Sequence, residues 1–274
     1  QTEIYQSTTH LNEYIDKTFN EVKTRTIQIR GAITNFGHFH VQNSNANIIA
    51  VEIVGMSSVT DWSSGFSNAH KLTTENLKIS QWNTSNVVSM TGLFNYNMNL
   101  TTLDLSTLDV SNVTNFGNMF YQCRELTHID MSGWDTSEAT VMIGMFGYCK
   151  KLETLDVSHF VTDKVANFGS MFLFCETLQT LNFANFNTEN ATTFEQMFSD
   201  CISLTELDIS NFKSPMVDSF RRMFYGLTNL QTLTYNTTDF TTNEANDLSS
   251  MFADCSSLSS LDVSNFNVEK VLNI

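Results

Sequence analysis

The stretch LETLDVSHFVTDKVANFGSMFLFC, residues 152–175, decides the fold. Its second half carries Val165, Phe168, Met171, Phe172, Cys175 and then Leu178, an apolar set at steps of three and four. Its first half carries Leu155-Asp156-Val157-Ser158, an alternation of apolar and polar residues. The same pattern recurs outward in both directions. Met119-Phe120, Met145-Phe146, Met171-Phe172, Met197-Phe198 and Met223-Phe224 stand 26 residues apart, Leu93-Phe94 precedes them by 26, and Met251-Phe252 follows by 28. A fixed period of this length marks a stack of similar units, each burying its apolar face against the next.

Spacing of three and four predicts one amphipathic helix per unit. Thr136, Thr162, Thr188, Ser214 and Thr242 form a column just before that stripe and suit helix N-caps. Pro215, the only proline, follows Ser214 at the expected first helical position. The alternating half, as in Thr102-Leu103-Asp104-Leu105-Ser106, predicts a short strand with the two leucines inward. Together these predict an α/β fold: a right-handed solenoid, like a leucine-rich repeat, with one short parallel strand and one helix per 26-residue unit.

Weakened copies reach back to about residue 51, where Val51-Glu52-Ile53-Val54 precedes the stripe of Val59, Trp62, Phe66, Ala69 and Leu72. The solenoid is thus expected over 51–274, ending in an incomplete copy at Val271 and Ile274. Residues 1–50 are expected to cap it. Leu11, Tyr14, Ile15, Thr18, Phe19 and Val22 predict a capping helix, and Thr26-Ile27-Gln28-Ile29 a lead-in strand.

Composition narrows the partners. A net charge of −15 over 274 residues disfavours nucleic acid and anionic membranes. No apolar run is long enough to span a bilayer. The cysteines Cys123, Cys149, Cys175, Cys201 and Cys255 are a column of the repeat, with Asn97 and Leu227 in equivalent places. They read as buried free thiols, because an amide or leucine replaces them and no CxxC pair exists.

The string L-x-x-L-D-x-S-x-F-x-T-x-x-V-x-x-F-x-x-M-F-x-x-C resembles the repeat of the BspA-like leucine-rich-repeat surface proteins of bacteria, a lipoprotein-containing family also called DUF285. The resemblance covers about 51–274 and is clearest over 126–149 and 152–175. Two copies depart from it, Leu181-Asn182-Phe183-Ala184 and Leu233-Thr234-Tyr235-Asn236, which lose the Asp and Ser. The resemblance implies a surface-exposed or secreted bacterial protein linked to adhesion. It implies no catalytic residue and no defined ligand.

Two sets of residues are candidate binding sites. Asp104, Asp130, Asp156 and Asp208, with Asp262, should line the outer face of the sheet. They could form a ladder for Ca²⁺ or a basic partner, or each could accept hydrogen bonds from a nearby Ser and turn backbone. The second set is Tyr96, Tyr121, Tyr148 and Phe174, one or two places after the repeat Phe. Equivalent positions hold Gln122, Asp200, Gly226 and Asp254, so packing does not demand an aromatic there. Arg221-Arg222 is expected on a solvated helix face.

Evidence for catalysis is thin. His38 and His40 could share one side of a strand, but nothing marks a third metal ligand. Phosphate-loop, G-x-S-x-G and H-E-x-x-H motifs are missing. No cofactor is expected. The sequence therefore predicts a non-catalytic recognition module for a host or neighbouring-cell protein or glycan, with a structural spacer as the alternative.

Overall fold

The computed structural model describes residues 59–274, except 70, 71, 75, 76 and 78, together with two strands near the N-terminus. Those strands, β1 (Thr2–Gln6) and β2 (Thr26–Arg30), pair in parallel. β2 falls where a strand was expected, at Thr26–Ile29; β1 was not foreseen. The expected capping helix over Leu11–Val22, the strand at 51–54 and the His38/His40 pair lie outside the described residues.

From residue 59 onward the chain winds as a stack of coils. The Leu-Asp halves form short parallel strands: β3 (Thr102–Asp104) on β4 (His128–Asp130), and β5 (Glu206–Ile209) on β6 (Thr232–Tyr235). Thr154 bridges Thr180 between them. The alternation places Leu103, Ile129, Leu155 and Leu207 inward, all buried.

The other half differs from expectation: among the described residues it contains no α-helix. Each segment is a run of tight turns. Phe116, Asn118, Phe120 and Gln122 donate their N–H groups to Val141, Ile143, Met145 and Gly147 of the next coil, at 2.7–3.0 Å. The intervening Met119, Tyr121 and Cys123 donate to the residue three back. Asn118 and Gln122 have positive φ, 54° and 65°, which is where a type II turn places its third residue. That left-handed residue every fourth position breaks helical progression and points alternate N–H groups along the stack. Apolar residues still recur at steps of three and four, so the stripe mimics a helix. A second ladder of bridges runs through this half, from Asp61 through Ser89, Asn115, Val141, Asn167, Thr193, Ser219 and Asp247 to Asn273.

Three columns hold the interior. The repeat phenylalanines stack from Phe66 through Phe94, Phe120, Phe146, Phe172, Phe198 and Phe224 to Phe252, with centroids 5.2–5.9 Å apart and planes within 15°. Such pairs add about 0.5–1.5 kcal/mol beyond their burial. The threonine column does not cap helices. Thr162 Oγ1 donates to Asn187 O and accepts from Asn187 N, both at 2.9 Å. Thr136, Thr188, Ser214 and Thr242 make the same two-way bridge to the next coil. The cysteines are free, as expected. Each thiol donates to the carbonyl of a repeat Phe in the coil before, as Cys175 does to Phe146 at 3.2 Å. Asn97 makes the equivalent bond to Phe66 O with its amide at 2.7 Å. Burial pushes the Cys123 thiol up to about 12, so it stays protonated.

Candidate binding edge

The turn segments bring Tyr96, Tyr121, Tyr148 and Phe174 into one row. Tyr96 meets Tyr121 edge-to-face at 6.1 Å, Tyr121 meets Tyr148 edge-to-face at 5.3 Å, and Tyr148 stacks on Phe174 at 4.7 Å. Tyr96 is exposed and the other three are half-buried. Gly147 makes this possible, because a Cβ there would come within 2.8 Å of the Tyr121 ring. Burial, then the neighbouring Tyr148 and Tyr96 phenols, raise the Tyr121 pKa, so the hydroxyl remains a donor at neutral pH.

Tyr96, Tyr148 and Phe174 share a further property. Their φ angles are 57°, 60° and 55°, in the left-handed region. The same backbone position in other coils holds Gln122 and also Asn68, Asp200, Gly226 and Asp254, the last four being residue types that accept this conformation readily. A bulky aromatic there is an outlier, with a cost of about 1–2 kcal/mol.

Charged groups surround the row. Lys150 sits 5.5 Å from the Phe174 ring centroid and pairs with Glu176. Arg124 is exposed, and its Nε donates to Gln122 Oε1 at 2.6 Å. Gln122 is buried between Tyr96 and Tyr148 and also hydrogen-bonds the Tyr121 hydroxyl. Sequence reasoning missed Arg124 and the backbone strain. The signal for the strain was present as the alternation of Asn, Asp and Gly with aromatics in one column.

The aspartates lie on the other face. Asp104 Oδ1 accepts from the Ser106 backbone at 3.1 Å and hydroxyl at 2.6 Å, and Asp156 does the same with Ser158. Asp130 and Asp208 accept from the backbone of Ser132 and Ser210, each at 2.9 Å. In the departing copy, Asn182 accepts from Ala184 N at 3.0 Å. Hydrogen bonds from Ser132 hold the Asp130 pKa low, with a smaller contribution from His128 and His159; those from Ser158 do the same for Asp156. A shallow groove of about 570 Å³ crosses these strands, lined by His128, Asp130, Thr154, Asp156, His159 and Asn182 among others. Among the described residues, no group of three or more His, Cys, Asp or Glu is placed to hold a metal ion.

Arg221 and Arg222 do not sit on a helix. Arg221 pairs with Glu195 at 2.7 Å, and Arg222 packs 5.1 Å from the Tyr225 ring centroid.

The stacked coils and their inward leucines define a repeat solenoid of the leucine-rich-repeat kind. A family model described as "Mycoplasma protein of unknown function, DUF285" matches residues 34–154, 142–236 and 205–274, and the chain belongs to this family. Among solved structures, it is similar to a leucine-rich repeat protein from Bacteroides ovatus (15% identity, TM-score 0.44, 90% of this chain and 71% of that one). It is also similar to a leucine rich cell surface protein from Faecalibacterium prausnitzii (16% identity, TM-score 0.31, 90% and 82%). A third is a leucine-rich repeat protein from Eubacterium ventriosum (15% identity, TM-score 0.33, 90% and 79%). No curated protein matches the sequence.

Proposed function

We propose that the chain is a non-catalytic recognition module, displayed on a bacterial surface or secreted, whose aromatic edge binds a host or neighbouring-cell protein or glycan. One observation carries this reading. Tyr96, Tyr148 and Phe174 occupy a backbone conformation that disfavours them, while other coils fill the same place with Asn, Asp, Gly or, once, Gln122. Residues held against their backbone preference tend to serve function rather than stability. Half-exposed tyrosines in a row are also typical anchors of binding surfaces.

The test compares the wild-type chain with a Tyr96→Asn/Tyr148→Asn/Phe174→Asn variant on glycan arrays and on epithelial cell surfaces. The expected outcome is binding by the wild type that the variant loses while keeping its fold. Equal binding by both chains overturns the reading. The spacer alternative draws on the uniform phenylalanine stack, which gives a stiff rod whether or not anything binds its edge; it predicts that no surface substitution alters adhesion.

A further inference from the structure

We propose that the edge ligand is a linear glycan bearing a carboxylated sugar, with Tyr96, Tyr121 and Tyr148 as the stacking platform and Arg124 as the carboxylate clamp. This rests on the recognition reading and names its ligand class.

The described Lys and Arg side chains are mostly neutralised: Lys150, Lys151, Lys164, Lys213, Arg221 and Lys270 each pair with a glutamate of a neighbouring coil. Among the described residues, Arg124 and Arg222 have no such carboxylate. Arg222 lies on Tyr225, whose own pKa is raised chiefly by Asp254 and also by Asp200, so its surroundings are already acidic. Arg124 is different. Its Nε donates to the amide oxygen of Gln122, the residue that also hydrogen-bonds Tyr121, and the side chain is otherwise exposed. A guanidinium fork held at one edge and open at the other is preorganised for a bidentate carboxylate.

Shape selects a linear ligand. The platform is one ring wide, its tyrosines meeting edge-to-face at steps of 6.1 and 5.3 Å. A globular partner needs a broader patch. An extended peptide would seek backbone hydrogen bonds, yet this edge offers few. Tyr96, Gln122, Tyr148 and Phe174 donate their N–H groups to Tyr121, Gly147, Leu173 and Ser199 of the following coils. Sugar rings need no backbone; their C–H faces lie on aromatic faces, and their hydroxyls meet phenol groups such as that of the exposed Tyr96. Charge number also matters. At −15, the molecule repels polyanions as a whole, whereas one carboxylate meets one local cation.

The experiment is calorimetric titration of the whole chain at low salt with three probes: 3′-sialyllactose, a glucuronate-terminated tetrasaccharide and lactose. We expect at least one acidic probe to bind about tenfold or more tighter than lactose, as a charge-assisted pair allows, and the preference to shrink as salt rises. Arg124→Gln should erase the preference with an unchanged melting temperature, and Arg124→Lys should restore part of it. Tyr148→Asn should weaken all three probes. The two acidic arms tell a sialic acid from a uronic acid. Equal affinity for lactose and both acidic probes, or full acidic binding by Arg124→Gln, overturns the clamp and leaves the recognition reading standing. If no sugar binds but cell-surface binding still depends on Tyr148, the glycan assignment falls alone. If nothing binds through Tyr148, both fall.

Discussion

The early coils and the late coils have one backbone and two surfaces. At the left-handed position two residues after the repeat Phe, the coils that follow Asn68 carry Tyr96, Gln122, Tyr148 and Phe174, and the late coils Asp200, Gly226 and Asp254. Ring stacking beneath them is the same: Phe120 on Phe146 at 5.6 Å in one region, Phe198 on Phe224 at 5.9 Å in the other. The late coils show what the turn prefers. The early coils show what was placed there despite that preference. The interior therefore supplies a common stack, and the variable edge is where the two regions part.

The largest expected effect tests the common part. Phe146→Ala and Phe224→Ala should each cost about 3–5 kcal/mol of stability in denaturant unfolding, since each removes a fully buried ring with two stacked neighbours. A cost confined to one region would break the claim that both stand on the same interior.

Next comes Thr162→Val, at about 1–3 kcal/mol, because it strips both the N–H and the carbonyl of Asn187 of their partner. The molecule contains its own control. Val110 occupies this column in an early coil, and the hydroxyl of Thr84 before it is buried without a hydrogen bond. Val110→Thr should therefore be tolerated, with a melting temperature equal to or above that of the parent.

A reciprocal pair then sharpens the edge comparison. Gly226→Tyr imports the early residue into a late coil. It should destabilise by about 1–2 kcal/mol, through the left-handed φ of 71° and a Cβ only 2.6 Å from the Asp200 carboxylate. Tyr148→Asn exports the late character. Relief of backbone strain, about 1 kcal/mol, offsets the lost ring contacts with Tyr121 and Phe174, so the melting temperature should barely move while binding disappears. Loss of stability with retained binding would make the row a packing device.

Much of this was legible in the sequence. The period, the inward leucines and phenylalanines, the free thiols and the clustering of Tyr96, Tyr121, Tyr148 and Phe174 all follow from columns spaced 26 apart. The replacement of the expected helix by turns was not, because Val113, Phe116, Met119 and Phe120 have the same spacing in consecutive turns as in a helix. What separates the two is where the N–H groups go, and here alternate ones go to the next coil. Gly144, Asn118 and Ser170 in one left-handed column, and Asn68, Asp200 and Gly226 in the other, were the available sign. The threonine column misled for a related reason: a hydroxyl that takes an N–H bond at a helix start takes the same bond from a neighbouring coil. Arg124 was invisible, since only three dimensions reveal which cations lack a carboxylate.

The smallest effect concerns acid, and it separates the regions again. A carboxyl whose pKa is lower in the folded state stabilises the fold above its unfolded value, near 3.9, and ceases to do so as pH falls through the folded value. Asp130, Asp156 and Asp262 are all held low by the serine two residues on. Melting temperature should thus fall below about pH 4, and Asp130→Asn or Asp262→Asn should flatten that fall while keeping the turn, as Asn182 does with Ala184. Asp130 differs from Asp262 in having His128 and His159 nearby to lower it further. Removing them with His128→Gln/His159→Gln should therefore reduce the acid response traced to Asp130 and leave that of Asp262 untouched. An equal reduction at both ends would show that the histidines act through the overall charge rather than on their neighbouring carboxylate.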